Sequence, residues 1–334
     1  MKKLAAAACA ALMLSAGASQ AQEGGSYILS TASTGGTYYP VGVAIATLVK
    51  IKLENSDKIG MSAISSAGSG ENIRLMRGNE AQFSILQGLF GYYAATGTGP
   101  VAEQGPQTNV MAVASLWPNV EHFVVSADVA TTGTMADFAA LKGASVALGA
   151  RNSGTIGSNS EILKGFGIDA LNDFTLVEGG YGPAAEALQN GQVKGISTPA
   201  GVPVSALSQL FASAGDRVRL LTFTEEEVAK GDGGRNLWVA YPIPAGTYPG
   251  QTYDVTTIAQ PNFLSVNADV PEEHVYLITK TMFENLPFLH AIHPATREIS
   301  LEAALAGLPM PLHPGAARFY TEQGMTIPDH LMPK

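Results

Sequence analysis

Short apolar runs alternate with longer amphipathic stretches, and glycine-rich joints fall mostly where a strand would hand over to a helix. Such alternation predicts parallel strands joined by crossover helices, an α/β architecture. Strands are expected over residues 27–30, 59–64, 83–86 and 111–116, with helices over 43–52 and 70–76, the second stopped by Gly78. Beyond Trp117-Pro118 a second set begins, with strands over 122–126, 145–148, 174–177, 195–198 and 219–223. Its helices are expected over 135–141, 156–166, 184–190, 204–214 and 225–230. Pro242, Pro244, Gly246, Pro249 and Gly250 then mark a loop. Strands over 256–259 and 263–266 and helices over 272–283 and 296–306 complete the pattern.

About 310 residues remain after the N-terminal segment discussed below, more than one hydrophobic core usually organises, so two lobes are expected. The final segment reads as a return to the first lobe. Lobe 1 would comprise 22–120 plus 261–334, and lobe 2 would comprise 121–260. The chain would then cross twice, near Glu121 and near Gln260, forming a double hinge around a central cleft.

Three joints carry candidate chemistry. Thr34-Gly35-Gly36-Thr37-Tyr38-Tyr39-Pro40-Val41-Gly42 follows a strand-like run and opens a helix, placing backbone NH groups and a positive dipole end where an anion could sit. Gly149-Ala150-Arg151-Asn152-Ser153-Gly154-Thr155 repeats that grammar in the second lobe. Ordinary N-capping would equally explain Ser153 and Thr155. Ser65-Ser66-Ala67-Gly68-Ser69-Gly70-Glu71-Asn72 supplies hydroxyls and the Asn72 amide, and Gln87 would point from the same strand ends. Tyr38, Tyr39 and Tyr181 could close over a ligand or could simply pack. Arg151 could clamp a carboxylate or could stay solvated.

Composition narrows the classes. Lys2 and Lys3, an apolar run over 4–14 and Ser19-Gln20-Ala21 predict a cleavable signal peptide over 1–21, hence an exported, periplasmic protein beginning at Gln22. Cys9, the only cysteine, falls inside that segment, so the processed chain would have no thiol chemistry or disulfide. No later run is apolar over the roughly 20 residues a membrane span requires. Nineteen basic residues less Lys2 and Lys3, against 28 acidic, leave a net charge of −11, which argues against a nucleic-acid partner. Gly-x-Ser-x-Gly is absent around Ser69 and Ser153, as are His-Glu-x-x-His and Ser-x-x-Lys, so a periplasmic serine hydrolase is the weaker reading. His290 and His293 stand at helical spacing, but Pro287 and Pro294 interrupt that helix and no carboxylate completes a zinc pattern; neither metal nor cofactor is expected.

Thr34 to Gly42, Gly68-Ser69-Gly70-Glu71-Asn72-Ile73, Ser153-Gly154-Thr155 and Pro311-Leu312-His313-Pro314-Gly315-Ala316-Ala317-Arg318-Phe319-Tyr320 together resemble, in order, the TAXI family of TRAP-transporter solute-binding proteins. The resemblance implies a two-lobed type II periplasmic binding protein fold and a non-catalytic role. It further implies delivery of a small carboxylate or amino acid, such as glutamate, glutamine or 2-oxoglutarate, to a TRAP membrane permease. Carried over residue by residue, it places ligand contacts at Thr34, Gly36, Thr37, Tyr38, Tyr39, Ser69, Asn72, Gln87, Asn152, Ser153, Gly154, Thr155 and Tyr181. The chain departs from the family at Gly70, where valine or another branched residue is common. A binding subunit of an ABC importer, with the same fold and a different partner, is the alternative.

Overall fold

The computed structural model describes residues 24–333. The expected signal peptide over 1–21, its cleavage before Gln22 and the position of Cys9 lie outside the described residues. The chain runs β1 (Gly25–Ser30), α1 (Tyr38–Leu53), β2 (Ile59–Ile64), α2 (Ser69–Arg77), β3 (Phe83–Gln87), α3 (Gly88–Thr96) and β4 (Val110–Val120). It continues through β5 (Phe123–Ser126), α4 (Met135–Ala139), β6 (Ser145–Ala147), α5 (Gly154–Lys164), β7 (Thr175–Leu176), α6 (Tyr181–Gln189), β8 (Gly195–Ser197), α7 (Ser205–Ala214), β9 (Val218–Leu220) and α8 (Glu225–Asp232). The last third adds β10 (Val239–Ile243), β11 (Val255–Asn267), α9 (Glu272–Glu284), α10 (Leu286–His290) and α11 (Pro314–Glu322).

Two sheets organise these elements. The first has the order β10-β11-β3-β1-β2, with β4 pairing β11; the second has the order β7-β6-β8-β5-β9. Both are mixed, which corrects the expectation of purely parallel sheets. β1 runs parallel to β2 and β3, whereas β11 runs antiparallel to β3, β4 and β10. In the second sheet β6 is parallel to β7 and β8, and β5 is antiparallel to β8 and β9. Leu29, Ile45, Val49, Ile59, Phe83 and Ile85 are fully buried between the first sheet and its helices. Val124, Ile196, Leu207 and Leu220 do the same in a second apolar cluster. Each such side chain contributes about 1.5–3 kcal/mol of burial.

β4 and β11 tie the sheets together. At Val120 the first sheet ends; three residues later the chain is already in β5 of the second. β11 starts beside second-lobe residues, where Phe223 N donates to Thr256 O, and ends paired with β3 and β4. The crossings meet in register, with Ala259 opposite Val120, Gln260 opposite Asn119 and Pro261 opposite Pro118. Neither proline can donate to the ladder, and the register shifts immediately afterwards, between Pro261 and Phe263.

Several expected elements change. The strands over 256–259 and 263–266 are one strand, β11, bulged at Pro261. The loop expected around Pro242 contains β10, which tolerates a proline because it is an edge strand. Helix α1 begins at Tyr38, five residues earlier than expected, since Pro40 falls in the first turn, where a missing NH costs nothing. Helix α3 went unrecognised because Gly88 and Gly91 lower its propensity. The helix expected over 296–306 is a short 3-10 turn, Pro294–Glu298; Thr296 Oγ1 bonds back to Leu289 O and His293 O, and Ile299 leaves helical geometry with ψ 111°.

The C-terminal block closes the first lobe. His313 Nδ1 accepts from Gly315 N at the start of α11, and Tyr320 Oη donates to Val113 O at 2.9 Å. Gly315 packs directly on α9: a Cβ there would lie 2.2 Å from Glu272 O and 2.7 Å from Tyr276 N. Because both neighbours are backbone, Gly315→Ala should destabilise the protein by about 1–3 kcal/mol, measured as a lower urea midpoint at unchanged slope.

Candidate functional site

Five helices begin around one point between the sheets. Thr37 and Tyr38 open α1, Ser69 opens α2, Gln87 precedes α3, Gly154 and Thr155 open α5, and Tyr181 opens α6. All of these residues line one cavity of about 30 Å³. Each helix start directs a positive dipole end toward this space, although Glu71 N of α2 and Leu89 N of α3 are already engaged, by Asn152 O and Gln260 Oε1. None of the residues lining the cavity carries a charge.

The lobes touch directly around it. Gln87 Nε2 donates to Gly154 O at 2.8 Å, Glu71 N to Asn152 O at 3.0 Å, and Thr37 Oγ1 to Gly201 O at 3.2 Å. Ala206 N donates to Gly35 O at 3.3 Å on the other side. Glycines make the approach possible: a Cβ on Gly70 would lie 2.3 Å from Asn152 O, and one on Gly154 would lie 2.9 Å from Ser69.

Of the expected contact residues, the structure gathers Gly36, Thr37, Tyr38, Ser69, Gln87, Gly154, Thr155 and Tyr181 around the cavity. Thr34 is exposed and Tyr39 half-buried, and neither lines it. Asn72 is fully buried as a brace, donating to Thr31 O and Ile85 O and accepting from Ser66 Oγ. Asn152 and Ser153 line instead a groove of about 1040 Å³ between α2 and α5. Ser153 Oγ caps α5 by accepting from Ile156 N. Arg151 pairs with Glu178 at 3.0 Å, its side chain 78 % exposed, and does not reach the cavity.

Sequence reasoning missed Asn119, along with the small residues Ala32, Ser33, Pro199 and Ala200; Ala67 and Gly68 belong to a joint it singled out but were not among the expected contacts. A lone amide inside the otherwise apolar run 110–120 is a signal that could have found Asn119. Asn119 Nδ2 donates to Gln87 Oε1 at 3.0 Å, so the amides of Asn119 and Gln87 form a relay ending at Gly154 O. Tyr181 Oη donates to Pro199 O at 2.6 Å and accepts from Thr155 Oγ1 at 2.9 Å. Tyr38 Oη donates to Asn262 Oδ1. Burial raises both phenols, so both stay protonated donors at neutral pH.

Behind the cavity lie two buried ionisable groups. Burial pushes the Glu121 carboxyl up to about 8, offset in part by Trp238, Gln260 and Ser158. His122 is taken down to about 4 by burial, offset by backbone partners. Its Nδ1 donates to Val120 O at 2.8 Å, and its Nε2 accepts from Tyr248 Oη, which itself accepts from Val204 N. Among the described residues there is no cluster of three His, Cys, Asp or Glu suited to a metal, and no helix long and apolar enough to cross a membrane.

Two α/β lobes joined by two adjacent crossings and closed on a shared cavity define the two-domain periplasmic binding protein fold. Residues 29–324 match the model of the NMT1-like family, and the chain belongs to that family. A solved protein of Bordetella bronchiseptica RB50 is similar at 14 % identity, over 91 % of this chain and 90 % of that one, with a TM-score of 0.54. The periplasmic aliphatic sulphonate binding protein SsuA of Escherichia coli is 14 % identical over 89 % and 82 %, with a TM-score of 0.45. An adipate-bound protein of R. palustris is 17 % identical over 78 % and 83 %, with a TM-score of 0.49.

Gly70→Val should hold the lobes apart, because the branched side chain meets the Asn152 backbone. Small-angle scattering is expected to show a larger radius of gyration than the unmodified protein, with the same melting cooperativity.

The buried pair sets the pH dependence of stability. Glu121, raised in the folded state, lowers stability as pH climbs from its ordinary value near 4.5 to about 8. His122, depressed when folded, lowers it as pH falls from 6.5 to about 4. Between 4.5 and 6.5 the two slopes oppose each other, so only the Glu121 loss remains above 6.5. Unfolding free energy should therefore drop by up to about 1.4 kcal/mol per pH unit from 6.5 to 8, a branch that urea titrations should find missing in Glu121→Gln.

Proposed function

We propose that this protein is the solute-binding subunit of a TRAP transporter of the TAXI type. It captures a small carboxylate, such as glutamate, glutamine or 2-oxoglutarate, between its lobes and presents the closed form to a membrane permease. One observation carries the reading: helix starts from both lobes converge on one uncharged cavity lined by hydroxyls and amides. An anion there gains from dipoles and NH groups without a fixed cation, and because both lobes contribute, its binding favours closure.

The role is binding without catalysis. No lining group is a nucleophile paired with a base: Thr155 is engaged with Tyr181, and Ser69 Oγ accepts from Gln87 N at 3.2 Å. In this reading lobe 1 is 22–120 with 261–334, lobe 2 is 121–260, and the moving joint lies at the paired crossings Asn119–Glu121 and Ala259–Pro261. The N-terminal leader would carry the protein to the periplasm. Gly36, Thr37, Tyr38, Ser69, Gln87, Gly154, Thr155 and Tyr181 would contact the solute, joined by Asn119.

Calorimetric titration with 2-oxoglutarate, glutamate and glutamine should give saturable one-to-one binding for at least one of them. Thr37→Val and Thr155→Val should each weaken it about tenfold, the loss of roughly one hydrogen bond to a charged group. A flat response to the whole panel would sink the assignment of ligand class. A genetic neighbour encoding a transport ATPase in place of a large permease would transfer the subunit to an ABC importer.

A further inference from the structure

Trp117, Asn119 and Glu121 alternate along β4 and its end, and so share one face of the crossing strands. Gln260, opposite Asn119, and Asn262, opposite Gln87 of β3, stand two residues apart on β11 and so share a face of it. Every one of these side chains is 2 % exposed or less, and each keeps a polar atom without a partner: Trp117 Nε1, Asn119 Oδ1, Glu121 Oε2, Gln260 Nε2 and Asn262 Nδ2. Leaving a buried polar atom unpaired is costly, and one face holding five marks a place built for something other than packing.

Glu121 is the only ionisable member of that face. Its Oε1 accepts one long hydrogen bond, 3.3 Å from Trp238 Nε1, and its Oε2 accepts none. A carboxylate so poorly solvated is strongly disfavoured, whereas the protonated acid needs no counter-charge. Groups from both lobes roof it. Ser158 of α5 lies beside it, and Gly157 of the same helix takes the ring of Phe90 from α3, 2.5 Å from where a Cβ would stand. Gln260 Oε1 accepts from Leu89 N, again on α3, and Leu237, next to Trp238, packs against Gly88.

We propose that Glu121 is a proton-binding site coupled to the cleft: the closed protein holds one proton on this carboxyl, and separating α3 from α5 admits water and releases it. The ionisable groups near enough to feel the carboxylate are the phenols of Tyr38 on α1 and Tyr181 on α6, and its charge pushes both further up. The other neighbours, Trp238, Gln260 and Ser158, are neutral, and His122 turns its ring to Tyr248. Burial therefore outweighs these neutral hydrogen-bonding partners, raising Glu121 to about 8. Between the values for the open and closed forms, each pH unit upward lowers the closed-to-open ratio tenfold. The inference rests on the two-lobed cleft but not on any particular solute, so its test uses none.

The protein's two tryptophans, Trp117 and Trp238, both flank the site. Tryptophan fluorescence of the wild-type protein, titrated from about pH 6 to about pH 10, should show a single step near 8. The step should vanish in Glu121→Gln. Small-angle scattering over the same range should show the wild type expanding through the step and Glu121→Gln staying compact. A wild type with no step, or the same step in Glu121→Gln, overturns the proton site; a step without expansion overturns its coupling to the cleft. Should Glu121→Gln fail to fold, the infrared carbonyl band of a protonated acid must disappear across the same step in the wild type, and its absence at neutral pH overturns the proposal.

Discussion

The antiparallel pairing of β4 with β11 is the constraint on which the rest of the molecule depends. It is the one ladder shared by both halves of the chain: its N-terminal β11 rungs lie among second-lobe residues and its later rungs lie inside the first sheet. Because both crossings sit side by side in register, the lobes have one axis about which to move. The cavity lies directly above that axis, where Asn119 reaches up from β4 to Gln87 and through it to the far lobe. A polar connection therefore runs from the crossing strands to the cavity wall without leaving the protein.

The chemistry of the cavity follows from helix starts and not from side-chain charge. A chain carrying a net charge of −9 would be expected to meet an anion with arginine or lysine, yet its closest arginine in sequence, Arg151, is paired outward with Glu178. Five helix starts, and no charged side chain, therefore set the potential inside the cavity.

Much of this was legible from residue order because the informative loops are local. Glycine and hydroxyl residues between a strand and a helix announce a helix start wherever they occur, and the loops at Thr37, Ser69 and Thr155 do meet. Direction was harder to read. Asn152 and Ser153 belong to the same loop as Gly154, but the left-handed turn at Asn152, with φ 61°, sends them into the outer groove. Asn72 has the right composition for a ligand contact but spends its hydrogen bonds on the backbone. What residue order could not convey was long-range pairing: Asn119 matters only because β11 and Gln87 lie beside it, more than a hundred residues away in the first case. The antiparallel strands were misread for the same reason, since alternation along one segment says nothing about the direction of its partner.

Pro118 and Pro261 face each other across the crossing. Glu121 N donates across to Ile258 O whereas Val120 N turns away to Ala200 O, so by alternation the ring nitrogen of Pro118 also faces away from β11, and the two prolines meet at a rung that carries no cross-strand bond. The β4–β11 ladder therefore loses nothing to either ring. On its other edge β11 passes from β10, which pairs as far as Ala259, to β3, which pairs from Asn262, and Pro261 stands at that handover with no amide hydrogen for either neighbour.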